Sequence, residues 1–358
     1  MAQRTKKSAK GKGVLWGSED QVIVGLDVHK KAYHAAVRVN GAFVQTTVVP
    51  PTAEAVLALL EPYRAARLQV VYEAGPTGFG LVRALRLAGI AADVIAPSKT
   101  PQTPGATNKT DRLDCRQLAR YAETGMLRAV GVPTAAEEAD RQCIRLRDQV
   151  VDGVRRIKQQ IQSFLLQHGV AEPPGLKNWS QKGVRALEAL ELAAPLRFCL
   201  DVMLEDLAYR KEQLAQVNRR IQALSQERRH ARVVKALRQP QVVGVLTAMQ
   251  FRLELFQPAR FANERQVAAY LGLAPRVRQS GERLRTGPLL KAGHGRLRAM
   301  MVEAAWRWIG ADREARAVYD RLLRNTANTN KAITGMARRL AIRLWREVVP
   351  PEARGRVA

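Results

Sequence analysis

The stretch Val22-Ile23-Val24-Gly25-Leu26-Asp27-Val28-His29-Lys30, read with its continuation to Asp114, decides the fold. Residues 22–28 are apolar and largely β-branched around one carboxylate, as in a strand that presents a single acid. Val70-Val71-Tyr72 is a second such run, and it ends on Glu73. Asn40-Gly41 separates two further runs, 32–38 and 42–49, and this dipeptide favours the two-residue turn of a β-hairpin. Residues 52–65 carry Ala55, Leu59 and Leu60 at helical spacing. Residues 78–88 form a second predicted helix closed by Gly89, and 91–95 return as a strand. Three antiparallel strands followed by α-β-α-β predict an RNase H-like α/β domain.

Asp111 and Asp114 stand three apart at the start of a predicted helix over 111–125, so both face one side. Gathered with Asp27 and Glu73, they would offer the hard oxygen ligands that one or two Mg²⁺ ions require. The same acids also fit plainer roles. An Asp at a strand end often caps or turns, and Asp114 has Arg116 at hand as a solvated partner.

The formal net charge is +27, from 59 Lys and Arg against 32 Asp and Glu. Such self-repulsion calls for a polyanionic partner, nucleic acid first among them. No uninterrupted apolar run reaches the length of a membrane span. Residues 1–21 are expected to be a basic disordered arm, with no apolar core of a signal peptide behind it. Cys115, Cys143 and Cys199 form no CxxC, which points away from a disulfide framework or a zinc site and toward a reducing cytoplasm.

At 358 residues the chain has room for two or three domains. The expected division is 22–135 for the acid-bearing domain, 136–232 for a helical arm and 233–358 for a mainly helical C-terminal domain. Leu146, Val150, Val154, Ile157, Ile161 and Leu165 recur at helical steps within 137–169. A near-heptad from Leu200 to Leu224 runs through a second helix, 196–232, with one polar slot at Arg210; the pair predicts an antiparallel coiled-coil hairpin or dimerisation arm. Gly244 before an apolar run suggests part of a helix-hairpin-helix element.

Ser280 follows on a predicted loop ringed by Arg276, Arg278, Arg283 and Arg285, with Lys291, Arg296 and Arg298 continuing the cluster. None of the five histidines gives Ser280 a hydrolase context, so acyl transfer is unsupported. Guanidinium groups around a serine suit phosphoryl transfer. They equally suit a serine that only contacts phosphate. Residues 319–347 close the chain as a basic amphipathic helix pair.

Five blocks carry a family resemblance. GLDVHK, YEAGPTGFGL, IAPSKTP with NKTDRLDCRQLA, YLGLAPRVRQSGERLRTGPLLKAGHGRLRAMMVEAAW and KAITGMARRLAIRLW occur in that order between residues 22 and 348. Together they resemble the DEDD-type transposases of bacterial insertion sequences that work with a bridge RNA, the IS-one-ten group. The resemblance implies a RuvC-like N-terminal domain in which Asp27, Glu73, Asp111 and Asp114 hold Mg²⁺ and act in catalysis. It implies that Ser280 is the nucleophile, forming a phosphoserine link to DNA. A structured guide RNA would pair with donor and target DNA, while Lys109 and the arginine cluster contact nucleic acid. Homodimers and homotetramers would assemble through the coiled coil, with a composite site taking its serine from another protomer. The alternative is a RuvC-like Mg²⁺-dependent nuclease for branched DNA, in which Ser280 only binds phosphate; a third reading is a non-catalytic nucleic-acid scaffold. Two departures stand out: Gln239-Pro240-Gln241-Val242-Val243-Gly244 lacks one glycine of the family's turn, and His294 replaces a small polar residue, commonly Asn.

Overall fold

The computed structural model describes residues 16–75, 77–97, 100, 111–239, 242–280, 283–289 and 293–349, and the side chains of all of these but 111–113, 278–280 and 283–286. Residues 1–15 of the arm predicted over 1–21, and the connector around Lys109, therefore lie outside the described residues; the end of that arm is not disordered, since Trp16 stacks on Tyr63 and Gln21 opens the first strand, paired with Arg67. Two compact units divide the chain, Met1–Pro133 and Thr134–Ala358.

The first unit runs β1 (Gln21–Val28), β2 (Tyr33–Val39), β3 (Ala42–Val49), α1 (Ala53–Leu60), β4 (Arg67–Glu73), α2 (Gly80–Leu87), β5 (Ala91–Ile95) and α3 (Asp111–Glu123). The element order is the predicted one. Asn40 and Gly41 take φ of 46° and 86°, the left-handed pair that a tight hairpin needs, and join β2 to β3. The sheet order is β3-β2-β1-β4-β5, with β1 antiparallel to β2 and parallel to β4. As a central strand β1 is covered on both faces, which explains its unbroken apolar run. Val22, Val24, Leu26 and Val28 pack with Val56 and Leu60 of α1 and Leu81, Val82 and Leu85 of α2. Gly25, on the alternate face, meets α3. The predicted helix over 52–65 stops earlier, at Leu60, and becomes a 3₁₀ turn over Glu61–Tyr63. Pro62 lacks the N–H that the α-helical ladder requires.

The second unit holds α4 (Ala135–Gln167), α5 (Gln181–Glu188), α6 (Ala194–Gln226), α7 (Arg228–Leu237), α8 (Val245–Leu255), α9 (Glu264–Tyr270), β6 (Pro275–Ser280), β7 (Arg283–Leu289), α10 (Gly295–Ala311), α11 (Arg313–Thr326) and α12 (Thr329–Val348). Thr134 and Glu137 form a capping box that starts α4. Helices α4 and α6 run antiparallel: Arg147 donates to Asn218 at 2.8 Å, and farther along α4 the Arg210 guanidinium lies over Gly153. One core lies between these two helices, from Val154, Ile157, Ile161 and Leu165 against Leu200, Leu204 and Leu207. Their other ends join a larger core, where Ile144, Ile221 and Leu224 pack with Phe251, Met301, Leu340 and Trp345. The single helix expected over 196–232 breaks at Glu227, whose backbone is extended (φ −64°, ψ 142°). The break turns Val234 and Leu237 into the larger core and sets buried His230 against Asp140 at 2.9 Å. Gly244 caps α8 with an ordinary φ of −74°, a backbone that residues other than glycine also adopt. Among the described residues no helix is long and apolar enough to cross a membrane.

Candidate functional site

Alternation along the strands places the acids of the first unit. Asp27 lies two residues beyond Gly25 and shares its face of β1, the face covered by α3. On β4, Val70 and Tyr72 belong to the opposite core, so Glu73 shares the α3 face. Leu26 pairs with Tyr72, which makes Asp27 and Glu73 the next neighbours along adjacent parallel strands. Both strands present these acids at their carboxyl ends.

The approach of α3 depends on Gly25. A side-chain carbon there would strike the Cys115 carbonyl oxygen and lie 2.7 Å from the Ala119 nitrogen. Backbone-to-backbone contact follows, and it carries Asp114, the residue before Cys115, toward the acid end of β1. Burial first, and then the nearby negative charge of Asp27, pushes the Cys115 thiol up to about 11. Asp27 is 17% exposed and its Oδ2 lies 3.0 Å from His29 Nε2. Glu73 Oε1 accepts a 2.6 Å hydrogen bond from the Thr100 hydroxyl. At the other end of α3, Glu123 pairs with Arg38 at 2.6 Å; nearer its start, Arg116 stacks 4.4 Å over Phe43 of β3. The side chain of Asp111 lies outside the described residues.

Carboxylates at two adjacent strand ends and at a helix start are donors of the kind a hard divalent cation takes. Among the described residues, however, no three His, Cys, Asp or Glu side chains gather as a metal-holding group. Asp27, Glu73 and Asp114 alone do not close such a cage.

In the second unit, Ser280 is not on an open loop. It ends β6 and pairs with Arg283 of β7, and Arg278 pairs with Arg285. Gly281 and Glu282, between the strands, lie outside the described residues, as do Lys291 and the side chains of Ser280, Arg278, Arg283 and Arg285. The missed signal was the alternation Arg276-Val277-Arg278 and Arg283-Leu284-Arg285 across a short polar break, a hairpin pattern. Of the other predicted nucleic-acid contacts, Arg276 is exposed, Arg296 pairs with Asp148 at 3.1 Å, and Arg298 packs against Gly272. Sequence reasoning also missed Glu254, 2% exposed in the α8 run Val245–Leu255, which meets Arg141 at 3.0 Å and His294 at 3.1 Å. A lone carboxylate in an apolar helix was the available sign.

Comparison with known proteins gives two family matches, the first running past Pro133 into α4. Residues 24–170 match a transposase family model of the DEDD IS110 type, and residues 234–320 match the model described as the transposase IS116/IS110/IS902 family. A putative transposase, y4qE, of Sinorhizobium fredii is 36% identical over 236 residues, covering 66% of this chain and 57% of that protein. The chain thus spans less than two thirds of that relative. The transposase of insertion sequence element IS1533 of Leptospira borgpetersenii is 25% identical, covering 80% of this chain and 85% of its own. That of IS1111A of Coxiella burnetii is 22% identical, covering 72% and 71%. A solved structure of T. thermophilus RuvC with a Holliday junction substrate matches 30% of this chain and 99% of its own at 15% identity; its TM-score of 0.23 carries no argument.

Proposed function

We propose that this chain, which transposase family models match over residues 24–170 and 234–320, is a transposase of the IS110 kind and an RNA-guided DNA recombinase whose acids and serine act on one scissile phosphate. The observation that carries the reading is the placement of Asp27 and Glu73 at neighbouring strand ends on the α3 face, within a chain of net charge +27. Asp27, Glu73, Asp111 and Asp114 are the residues that would hold Mg²⁺, which when bound would stabilise charge on the phosphate oxygens. Ser280 Oγ attacks phosphorus, losing its proton as the P–O bond to one strand breaks and that strand leaves as a hydroxyl. The resulting phosphoserine ester is resolved when another strand's hydroxyl attacks the same phosphorus and the serine proton returns. Arginines at 276, 278, 283 and 285 neutralise the phosphate oxygens, bidentately where geometry allows. A structured RNA pairs with donor and target DNA and supplies sequence choice. Homodimers and homotetramers assemble through the α4–α6 arm, and the working division remains an acid-bearing domain over 22–135, an arm over 136–232 and a serine domain over 233–358.

Trapping tests this reading. The protein is incubated with RNA transcribed from the non-coding sequence flanking its gene, Mg²⁺ and end-labelled donor DNA, then denatured. Label is expected to migrate with the protein, and to be lost in both Ser280→Ala and Asp27→Ala. Cleavage without an adduct, surviving Ser280→Ala, would instead identify a hydrolytic nuclease for which Ser280 only binds phosphate.

A further inference from the structure

The hairpin that carries Ser280 stands on two feet, Gly272-Leu273 before β6 and Gly293-His294 before α10. The feet touch backbone to backbone. A side-chain carbon on Gly293 would lie 2.5 Å from Gly272 Cα and 2.7 Å from the Leu271 carbonyl carbon. The His294 N–H also donates to the Tyr270 carbonyl at 2.9 Å.

His294 ties these feet to the core beneath. Its Nε2 lies 3.1 Å from Oε2 of Glu254, the same oxygen that accepts from Arg141 Nη2 at 3.0 Å. Its Nδ1 lies 3.2 Å from the Leu297 backbone nitrogen. A backbone N–H only donates, so Nδ1 is the acceptor and carries no proton. The ring proton therefore sits on Nε2 and points at Glu254, a tautomer assigned from these two partners. Arg145, 3.6 Å from Glu254 Oε1, holds the carboxylate from a further side, and the Tyr270 hydroxyl donates to the Glu254 main-chain carbonyl at 2.9 Å.

We propose that His294 is a positioning residue for Ser280: its Nε2–H bond to Glu254 sets the tilt of the β6–β7 hairpin and thereby the place of the serine. The proposal rests on the reading of Ser280 as nucleophile. Ser280 lies five residue steps beyond Pro275, about 17 Å of strand. Over that reach a tilt of about 5° at the feet moves the serine by about 1.5 Å, and a misplacement of that order costs about a hundredfold in rate.

Two conservative variants separate the two bonds. His294→Asn presents an oxygen where Nδ1 stands and keeps the Leu297 cap, yet is too short to reach Glu254. His294→Gln places an amide N–H near the position of Nε2 and gives up the cap. Hydrogen exchange across residues 275–289 and the rate of adduct formation are measured for both in the full chain with RNA. His294→Asn is expected to exchange at least about tenfold faster in the hairpin, with α8 amides unchanged, and to form adduct at least about tenfold slower at near-parental DNA affinity. His294→Gln stays within about threefold of the parent on both measures, since the Glu254 tie survives. Unchanged hairpin exchange in His294→Asn overturns the proposal. So does faster exchange with an unchanged adduct rate, or equal impairment in the two variants. Absence of adduct from the unsubstituted protein would strike the serine reading itself, while the exchange comparison still decides whether His294 sets the hairpin.

Discussion

Gly25→Ala is the sharpest perturbation of the acid site that leaves every acid in place. The added methyl would lie 2.7 Å from the Ala119 nitrogen and closer still to the Cys115 carbonyl oxygen. Restoring an ordinary 3.4 Å contact to Ala119 alone requires α3 to retreat by 0.7 Å, the difference of the two distances. Both obstacles are backbone, so no rotamer change relieves them, and overpacking of this kind costs about 2 kcal/mol. For a unit of this size that lowers the melting midpoint by about 8 °C. Asp114 moves with the helix, and a displacement approaching 1 Å predicts cleavage slowed by about tenfold or more. Calorimetry of the full chain and single-turnover DNA cleavage measure the two effects. Gly153→Ala is the matched control: there the added carbon would meet Arg210 Nη1 at 2.6 Å, the tip of a flexible side chain. The tip can swing away, and alanine gains about 1 kcal/mol of helix propensity, so stability should stay within about 1 kcal/mol of the parent. A Gly25→Ala protein that melts and cleaves like the parent would refute the close approach of α3 to β1.

Three further outcomes are expected. Asp140→Ala leaves buried His230 without its 2.9 Å partner and Arg229 without its 3.0 Å one, and should cost about 3 kcal/mol in urea unfolding, whereas Asp152→Ala at the exposed Arg155 pair should cost under about 0.5 kcal/mol. Burial would raise the Glu254 carboxyl, but the His294 hydrogen bond and the Arg141 guanidinium hold it at about 2, below its ordinary 4.5. That depression contributes about 3 kcal/mol at neutral pH, fully present above pH 4.5 and lost as pH falls through 2; in Glu254→Gln this slope of stability with pH should vanish. Cys115, buried and with its thiol pushed up to about 11, should resist alkylation at pH 8 while exposed Cys199 reacts at once, read by peptide mass spectrometry.

Much of the first unit was legible because local signals and tertiary demand agree there. Asn40-Gly41 announces its own turn, and a strand buried on both faces writes an unbroken apolar run. The neighbourhood of Asp27 and Glu73 follows from strand register, which the apolar pattern constrains. What the sequence hid was geometry without a hydrophobic pattern. Gly25 reads as a gap in a strand, and only the packed helix shows why it must be a glycine. Ser280 looked like a loop residue because β6 and β7 are rich in arginine rather than in apolar residues. The Glu254–His294–Arg141 cluster joins residues up to 153 positions apart, since 294 minus 141 is 153, and nothing local to any of them points at the others. The break at Glu227 has the same origin: helical spacing continues through it, and only the demand of the larger core turns the chain.

Helices α4 and α6 are each 33 residues long, about 50 Å, and both are rooted in one core at the same end. Mechanically they are a truss rather than a rod. Bending the outer end must stretch one strut and compress the other, and each is anchored by apolar side chains that do not slide freely. A push at the outer tip is therefore delivered at the base, among Ile144, Ile221 and Leu224, instead of being absorbed along the way. Whatever grips that tip also has a hand on the core beneath the serine hairpin.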